Sequence, residues 1–251
     1  MIVRSRSSFL VKICTIRGWI LLGTFCVLLP VVPGAIWWWR SGESYFSLTR
    51  RLPADVLVVE GWLGFYGYDG ILAAAKEFEQ GDYKYIVTTG GLREKQMVQG
   101  PRNYAEMAKQ ALVRFGIPQD RILTAPTEGI EHERTYKSAV AAWNALRESG
   151  IRPTGLNVFT LGPHARRSQL VYEKVFSPNP QVGVVAWAPA SYETEGWWRS
   201  KTRIKCLLKE TVGYPFEVLF NSGRTSNSAG KAGYADLRAA SGSDAAIVES
   251  R

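Results

Sequence analysis

The sequence predicts an α/β fold: a mainly parallel sheet of about five strands with helices on both faces, preceded by one transmembrane helix. Short apolar runs alternate along the chain with longer segments in which apolar residues recur at helical spacing. The first short run, Val56 to Val59, is continuously apolar rather than alternating, which is typical of a parallel strand covered on both faces. An uncharged apolar stretch, residues 18–39, precedes all of the short runs.

The first 53 residues are expected to anchor the chain. Residues 1–17 carry four positive charges and no negative one, 18–39 form the anchor, and 40–53 form a linker. At about 1.5 Å per residue the anchor can cross a hydrocarbon core of about 30 Å. A cleaved signal peptide also begins with a basic and then an apolar region, although the sequence around Gly34 is a poor cleavage site. The positive-inside rule places the N-terminus in the cytoplasm and the globular domain outside the cytoplasmic membrane.

Residues 54–221 are expected to form the α/β domain, and 222–251, rich in Ser, Gly and Ala, a disordered tail. Asp69 is expected to cap the first helix of the domain, and Pro215 to kink the last one. The predicted strands are residues 55–59, 85–89, 121–124, 156–161 and 182–187. The predicted helices are residues 69–80, 101–115, 131–148, the segment from 164 to 176, and 198–220.

Composition excludes several classes of function. The formal net charge is +9, but much of it flanks the apolar stretch, which indicates membrane topology rather than nucleic-acid binding. The two histidines, His132 and His164, are far apart and the cysteines are not clustered, so no metal site is expected. Neither a Walker A motif nor a dinucleotide-binding glycine pattern is present, so no cofactor is expected.

The candidate site lies in four loops that should meet at the carboxyl ends of the strands. These loops contain residues 60–62, 88–91, 128–135 and 162–164. The last loop opens a helix whose first turn carries His164, Arg166 and Arg167, a pattern that favours an anionic ligand. His164 is the candidate general acid or base, or a donor to a phosphate; the alternative is a polar helix cap. The two arginines point about 100° apart, so one of them should face the ligand.

Glycines are the second part of the candidate site. Gly90 and Gly91 follow a strand and could bring backbone N–H groups close to an anion, although such a pair also forms ordinary turns. Gly61 and Thr89, at the ends of the first two strands, are further ligand-binding candidates.

Charged residues near two other strand ends complete the candidate set. Glu60 ends a buried strand, so it should either face the cleft as a catalytic base or pair with an arginine. Arg134 and Thr135 either reach the cleft or belong to a charged helix start.

The order of these motifs resembles the YdcF, SanA and ElyC family of bacterial proteins over residues 55–220. Three positions depart from the family pattern: Glu60 replaces a leucine, Ser138 replaces an asparagine, and Thr89 replaces the serine before the paired glycines. The resemblance implies a Rossmann-like fold and, for anchored members, a role in cell-envelope biogenesis or barrier integrity, without implying a reaction. The matching residues are Asp55, Gly61, Gly90, Gly91, Glu106, Gly116, Pro118, Thr135, Ala139, His164, Arg167 and Glu210.

Three functions remain open at this point. The first is an anchored enzyme or enzyme-like domain that acts on a phosphate-bearing envelope intermediate, such as a lipid-carrier-linked sugar. The second is a non-catalytic domain that senses a nucleotide-like or sugar-phosphate ligand. The third is a scaffold for envelope-synthesis proteins.

Overall fold

The computed structural model describes residues 6–66, 68–92, 100–127, 134–194 and 196–220, and these residues fall into two units that are divided between residues 43 and 44. The first unit is helical. Helix α1 (Arg6–Phe46) begins in this unit and ends in the second, and contains Pro30 and Pro33. Between Arg17 and Phe46 it is long and apolar enough to cross a membrane once.

The second unit is a Rossmann-like α/β domain, as the sequence predicts. Its five strands are all parallel and lie in the order β3-β2-β1-β4-β5. The strands are β1 (Val56–Glu60), β2 (Tyr85–Gly90), β3 (Ile122–Pro126), β4 (Gly155–Leu161) and β5 (Gln181–Trp187). The helices are α2 (Asp69–Gln80), α3 (Tyr104–Arg114), α4 (Arg134–Glu148), α5 (Ala165–Phe176), α6 (Ser191–Thr194) and α7 (Lys201–Leu219).

Two hydrophobic cores lie on opposite faces of the sheet. Because side chains alternate along a strand, Val56 and Val58 of β1 pack in one core, whereas Leu57 and Val59 pack in the other. Helices α4 and α5 contribute to the first core, and α2 and α3 contribute to the second. This division explains the continuous apolar run of β1, since every residue of β1 is buried.

The strand order places a topological switch point between β1 and β4. From β1 the chain proceeds to β2 and β3 on one side, and later returns through β4 to β5 on the other side. Connections that leave β1 and β4 toward opposite faces open a crevice at their carboxyl ends, where ligands of such sheets bind.

Some element boundaries differ from the sequence predictions. Asp69 is the first residue of α2 rather than its cap, and Asn103 caps α3 by accepting a hydrogen bond from the Glu106 N–H. Helix α4 is described from Arg134 onward, so its expected start at residues 131–133 lies outside the described residues. Pro215 lies inside α7. The expected disordered tail, 222–251, also lies outside the described residues.

The expected linker contributes to the domain. Residues 44–46 are the last residues of α1 and already belong to the second unit. Arg50 then pairs in antiparallel fashion with Val184 of β5, and the backbone of Leu52 forms two hydrogen bonds with the side chain of Asn157. The sequence of this segment shows neither a strand nor a helix pattern. Its conformation is fixed by tertiary hydrogen bonds instead.

Candidate functional site

A largely buried cluster of charged and polar side chains lies at the carboxyl ends of β1 and β4. It comprises Glu60, Thr135, His164, Arg167 and Glu210, and we call it the histidine cluster. Glu60 is the last residue of β1, and His164 ends the short 3₁₀ turn between β4 and α5. The cluster therefore occupies the switch point, where a doubly wound sheet binds its ligands.

Glu60 is buried and accepts three hydrogen bonds. Its Oε2 accepts from the Trp62 indole N–H at 2.9 Å and from the Thr160 hydroxyl at 2.5 Å. Its Oε1 accepts from the Ser168 hydroxyl at 3.1 Å. These donors come from the loop after β1, from β4 and from α5, so the carboxylate joins three elements and avoids the cost of an unpaired buried charge. Of the two alternatives for Glu60, no described hydrogen bond or ion pair supports pairing with an arginine, because its partners are neutral donors and His164.

His164 lies between two carboxylates. Its Nδ1 lies 2.8 Å from Glu210 Oε1, whereas its Nε2 lies 3.2 Å from the Thr135 hydroxyl and 3.8 Å from Glu60 Oε2. The Trp62 ring packs edge-to-face against the imidazole, with 5.7 Å between the ring centroids. His164 occupies the N-cap position of α5, but its side chain makes no capping hydrogen bond and points into the cluster instead.

Glu210 determines which nitrogen of His164 carries a proton. An ionised carboxylate accepts hydrogen bonds and cannot donate them, so the neutral imidazole must donate from Nδ1 to Glu210. Arg167 Nη2 also lies 3.0 Å from Nδ1, but a protonated Nδ1 cannot accept from it, and this guanidinium nitrogen donates to Glu210 instead. Nε2 is then the nitrogen left to exchange a proton with Thr135, Glu60 or a ligand.

Arg167 and Glu210 form a bidentate ion pair. Arg167 Nε and Nη2 donate to the two Glu210 oxygens at 2.6 and 2.9 Å, and the Glu210 side chain is 1% exposed. Burial alone would raise the pKa of Glu210, but the charge of protonated His164 and the hydrogen bonds from Arg167 lower that pKa to about 2. Burial opposes the charge on Arg167 as well, yet Glu210 raises the pKa of the guanidinium above its usual value. Glu210 is therefore an anion throughout the physiological pH range.

Arg166 lies apart from the histidine cluster. Its Nε donates to the Tyr45 carbonyl at 2.6 Å, and its guanidinium stacks on the Tyr45 ring at 3.9 Å. Arg167 is therefore the arginine that faces the site. The sequence predicts that one of the two does so, because they point about 100° apart on the helix. Arg134, the first residue of α4, is exposed, whereas the neighbouring Thr135 is buried in the cluster.

The three candidate glycines allow close backbone packing. A Cβ on Gly61 would lie 2.4 Å from the Thr89 carbonyl oxygen and 2.6 Å from that of Tyr104. Gly90 has φ of +139°, and a Cβ there would lie 2.7 Å from the Tyr104 Cβ. The Gly91 carbonyl accepts from the Tyr104 N–H at 2.9 Å. These contacts place the start of α3 against the ends of β1 and β2, which is a structural reason for glycine at positions 61 and 90.

Thr89 lies beneath the cluster rather than in it. Its hydroxyl donates to the Val59 carbonyl at 3.4 Å. It neighbours Tyr172 of α5, and burial together with the charge of Glu60 raises the pKa of Tyr172 well above 10. Tyr172 is therefore neutral, and it belongs to the first hydrophobic core.

The sequence identified only part of this site. Thr160, Ser168 and Glu210 were not among its candidate residues, although Glu210 matches the resembled family. Helix spacing alone could not select Glu210, because α7 exposes apolar side chains and buries Arg203, Glu210 and Glu217. A buried glutamate on such a helix becomes recognisable only when its partner on α5 is known.

A second polar network lies at the amino ends of the strands. A pocket of about 350 Å³ there is lined by residues that include Arg51, Glu77, Tyr83 and Asn157. These groups already bind one another: Arg51 forms a bidentate pair with Glu77, and Tyr83 accepts from Asn157 and donates to Glu77. Because its polar groups are satisfied and it lies away from the switch point, we interpret this network as structural.

Within the described residues, no group of histidine, cysteine, aspartate and glutamate side chains could hold a metal ion. No protein-family model matches the chain, and no curated protein sequence matches it significantly.

Proposed function

We propose that this chain is a membrane-anchored α/β domain of cell-envelope biogenesis or barrier maintenance that acts on a phosphate-bearing, lipid-carrier or sugar-phosphate intermediate. The observation that carries the proposal is the Glu210–His164 pair at the switch point of the sheet. A histidine oriented through Nδ1 by a buried carboxylate, with Nε2 directed away, is the arrangement that general acid–base catalysis uses.

His164 would transfer the proton. With Nδ1 occupied by Glu210, Nε2 can take a proton from an attacking hydroxyl or water, or give one to a leaving oxygen. Glu60 Oε2, 3.8 Å away, would stabilise the imidazolium formed in the first case. Burial strengthens both interactions, because charges attract more strongly away from water.

The charges of the cluster restrict how an anionic ligand could bind. Arg167 is neutralised by Glu210, and Glu60 adds a negative charge next to His164. A phosphate would therefore be attracted mainly when His164 is protonated, which couples phosphate binding to proton uptake. A site in which two free arginines bind the phosphate would not depend on His164 in this way. The dependence on His164 supports a proton-transfer step rather than static phosphate binding.

The membrane part of the proposal depends on α1. Its apolar stretch is long enough for one crossing, and the four basic residues within 1–17 favour a cytoplasmic N-terminus and an extracytoplasmic domain. A reporter fused after residue 221 should be active outside the cytoplasmic membrane. Cytoplasmic reporter activity would contradict this orientation and leave the chemistry of the cluster unaffected.

A second candidate function is a sensing domain without turnover. The observation in its favour is that every charged group of the histidine cluster already has a charged or hydrogen-bonding partner, and His164 is only 8% exposed. A ligand would then change the protonation of the cluster without being transformed.

One set of variants separates the two functions. The full chain in phospholipid nanodiscs would be given a polyprenyl diphosphate and a sugar phosphate, and both ligand binding and phosphate release would be measured. We expect His164→Ala to lower turnover about 100-fold or more with binding largely retained. Arg166→Ala is the matched control, since it lies on the same helix with its side chain on Tyr45.

Each outcome is decisive. Binding without turnover in the wild type, weakened by His164→Ala, would favour sensing. Wild-type behaviour of a folded His164→Ala variant in both assays would refute both functions and leave the scaffold hypothesis.

A further inference from the structure

Helix α7 has an exposed face whose two halves differ in chemistry. Its two acidic residues, Glu210 and Glu217, are buried, so every charged residue exposed on this helix is basic. Three exposed lysines, Lys201, Lys205 and Lys209, recur every four residues along its first half. Exposed apolar side chains dominate the second half and the C-cap: Val212, Pro215, Phe216, Val218, Leu219 and Phe220, and Leu208 in the first half is exposed as well.

The lysines and most of these apolar residues lie on the same side of the helix. At 100° per residue, Lys205 and Val212 are about 20° apart around the helix axis, and Leu219 is about 20° from Val212. Val212 and Leu219 are 71% and 68% exposed, which is unusual for a contiguous apolar surface in water. A helix with an apolar side and exclusively basic exposed charges is typical of one that lies at a lipid surface.

The position of α7 within the second unit supports the same occupant. Tyr214 packs edge-to-face against Tyr45 and Phe46, with centroid distances of 6.3 and 6.1 Å. Tyr45 and Phe46 follow the uncharged apolar stretch, which ends at Trp39, by only a few residues. Any membrane that this stretch crosses is therefore within a short tether of α7.

From the exposed lysines, the apolar half and this tether, we propose that the exposed face of α7 docks on the surface of an anionic membrane. The lysines would contact lipid phosphates, and the apolar half, with Val212 near its centre, would enter the headgroup boundary. The proposal rests on the membrane anchoring proposed above but not on the chemistry of the histidine cluster. It would fix the domain against the bilayer and hold the cluster close to lipid-linked substrates, because Glu210 is on the opposite side of the same helix.

Lipid-borne quenching tests this contact directly. In a full-length variant with Cys14, Cys26 and Cys206 replaced by serine, Val212→Cys would carry an environment-sensitive fluorophore in nanodiscs that contain a spin-labelled phospholipid. Gln110→Cys, exposed on α3 in the other helical layer, is the matched control. We expect strong quenching at position 212 in anionic nanodiscs and little at position 110.

Neutralising the lysines should weaken docking in a predictable way. Each lysine near an anionic surface contributes a factor of about five, so replacing all three by glutamine should lower the docked-to-undocked ratio about 100-fold. The same loss should occur for the wild type in purely zwitterionic nanodiscs. Since the three lysines are exposed, the variant should fold normally, and its thermal unfolding would verify this.

Three results would overturn the proposal. The first is equal quenching at positions 212 and 110 in anionic nanodiscs. The second is protection of the fluorophore at position 212 from water that is lost when the chain is truncated after Phe220. That result would mean that residues 221–251, and not lipid, cover this face. The third is quenching or protection of the fluorophore that increases with the number of chains per nanodisc. That result would mean that a second copy of the chain covers the face. Flotation of the chain with vesicles tests anchoring separately, so a failure of α7 docking is distinguishable from a failure of the anchor.

Discussion

Replacing Glu210 by glutamine should destabilise the α/β domain strongly and in a pH-dependent manner. The substitution keeps the shape of the side chain but removes the charge that pairs with Arg167 and orients His164. An amide oxygen can still accept one hydrogen bond from each partner. What it cannot do is neutralise Arg167, whose side chain is 15% exposed.

The magnitude follows from the pKa of Glu210. Folding lowers this pKa from 4.5 to about 2, and each pKa unit corresponds to about 1.4 kcal/mol, so the ionised carboxylate contributes about 3 kcal/mol at neutral pH. Breaking a buried ion pair by removing one partner costs about 3–5 kcal/mol, which agrees. Because the folded pKa is the lower one, this contribution is complete above pH 4.5 and decreases as the pH falls toward 2.

Urea unfolding of the full chain in detergent, followed by circular dichroism, measures this contribution. We expect Glu210→Gln to lower the free energy of unfolding by about 3 kcal/mol at pH 7, and by about 1 kcal/mol at pH 3. Glu217→Gln is the control on the same helix. Its partner Lys174 keeps a hydrogen bond to the Glu217 carbonyl in that variant, so the loss should be smaller than for Glu210→Gln. A loss below 1 kcal/mol for Glu210→Gln at pH 7, or the same loss at both pH values, would refute the reasoning.

Two further predictions concern backbone packing and the network at the amino ends of the strands. Gly61→Ala should cost about 3 kcal/mol because its Cβ meets the Thr89 carbonyl, whereas Gly116→Ala, with φ of +94° in open space, should cost about 1 kcal/mol. Urea midpoints compare the two variants, and the reverse order would contradict the packing argument. Burial raises the pKa of Tyr83 to about 12, so wild-type stability should fall as the pH rises from 10 to 12. Tyr83→Phe should lose about 1 kcal/mol at pH 7 through its bond with Asn157, and show a shallower fall at high pH; equal slopes would count against this origin.

The class of fold was predictable because it depends on local patterns. Each strand of the domain is a short apolar run, and each long helix repeats apolar residues with a period near 3.6, so the alternation alone selects a parallel sheet. Parallel strands end at one edge, which is why Glu60 and His164 could be expected near each other. The boundaries that were wrong, at Asp69 and in the segment before β1, are set by contacts rather than by local preference.

The partners of the site could not be predicted in the same way. Glu60 was expected to face a cleft or an arginine, yet it is satisfied by hydroxyl and indole donors from β4, α5 and its own loop. Helix spacing alone does not select between Arg166 and Arg167, although Arg167 is the one that matches the resembled family, and only Arg167 faces the cluster. That distinction required the position of α7, which lies more than thirty residues further along the chain.

The sequence by itself determined the alternating architecture, the apolar helix at the N-terminus and the edge of the sheet on which charged residues gather. These features follow from hydrophobic periodicity and chain direction, which are local properties. Only the tertiary structure decided that His164 is oriented by Glu210, that Arg167 is neutralised and that the glycines are packed. Buried charges adopt whichever partners desolvation makes necessary, and those partners come from segments that meet only in the folded chain.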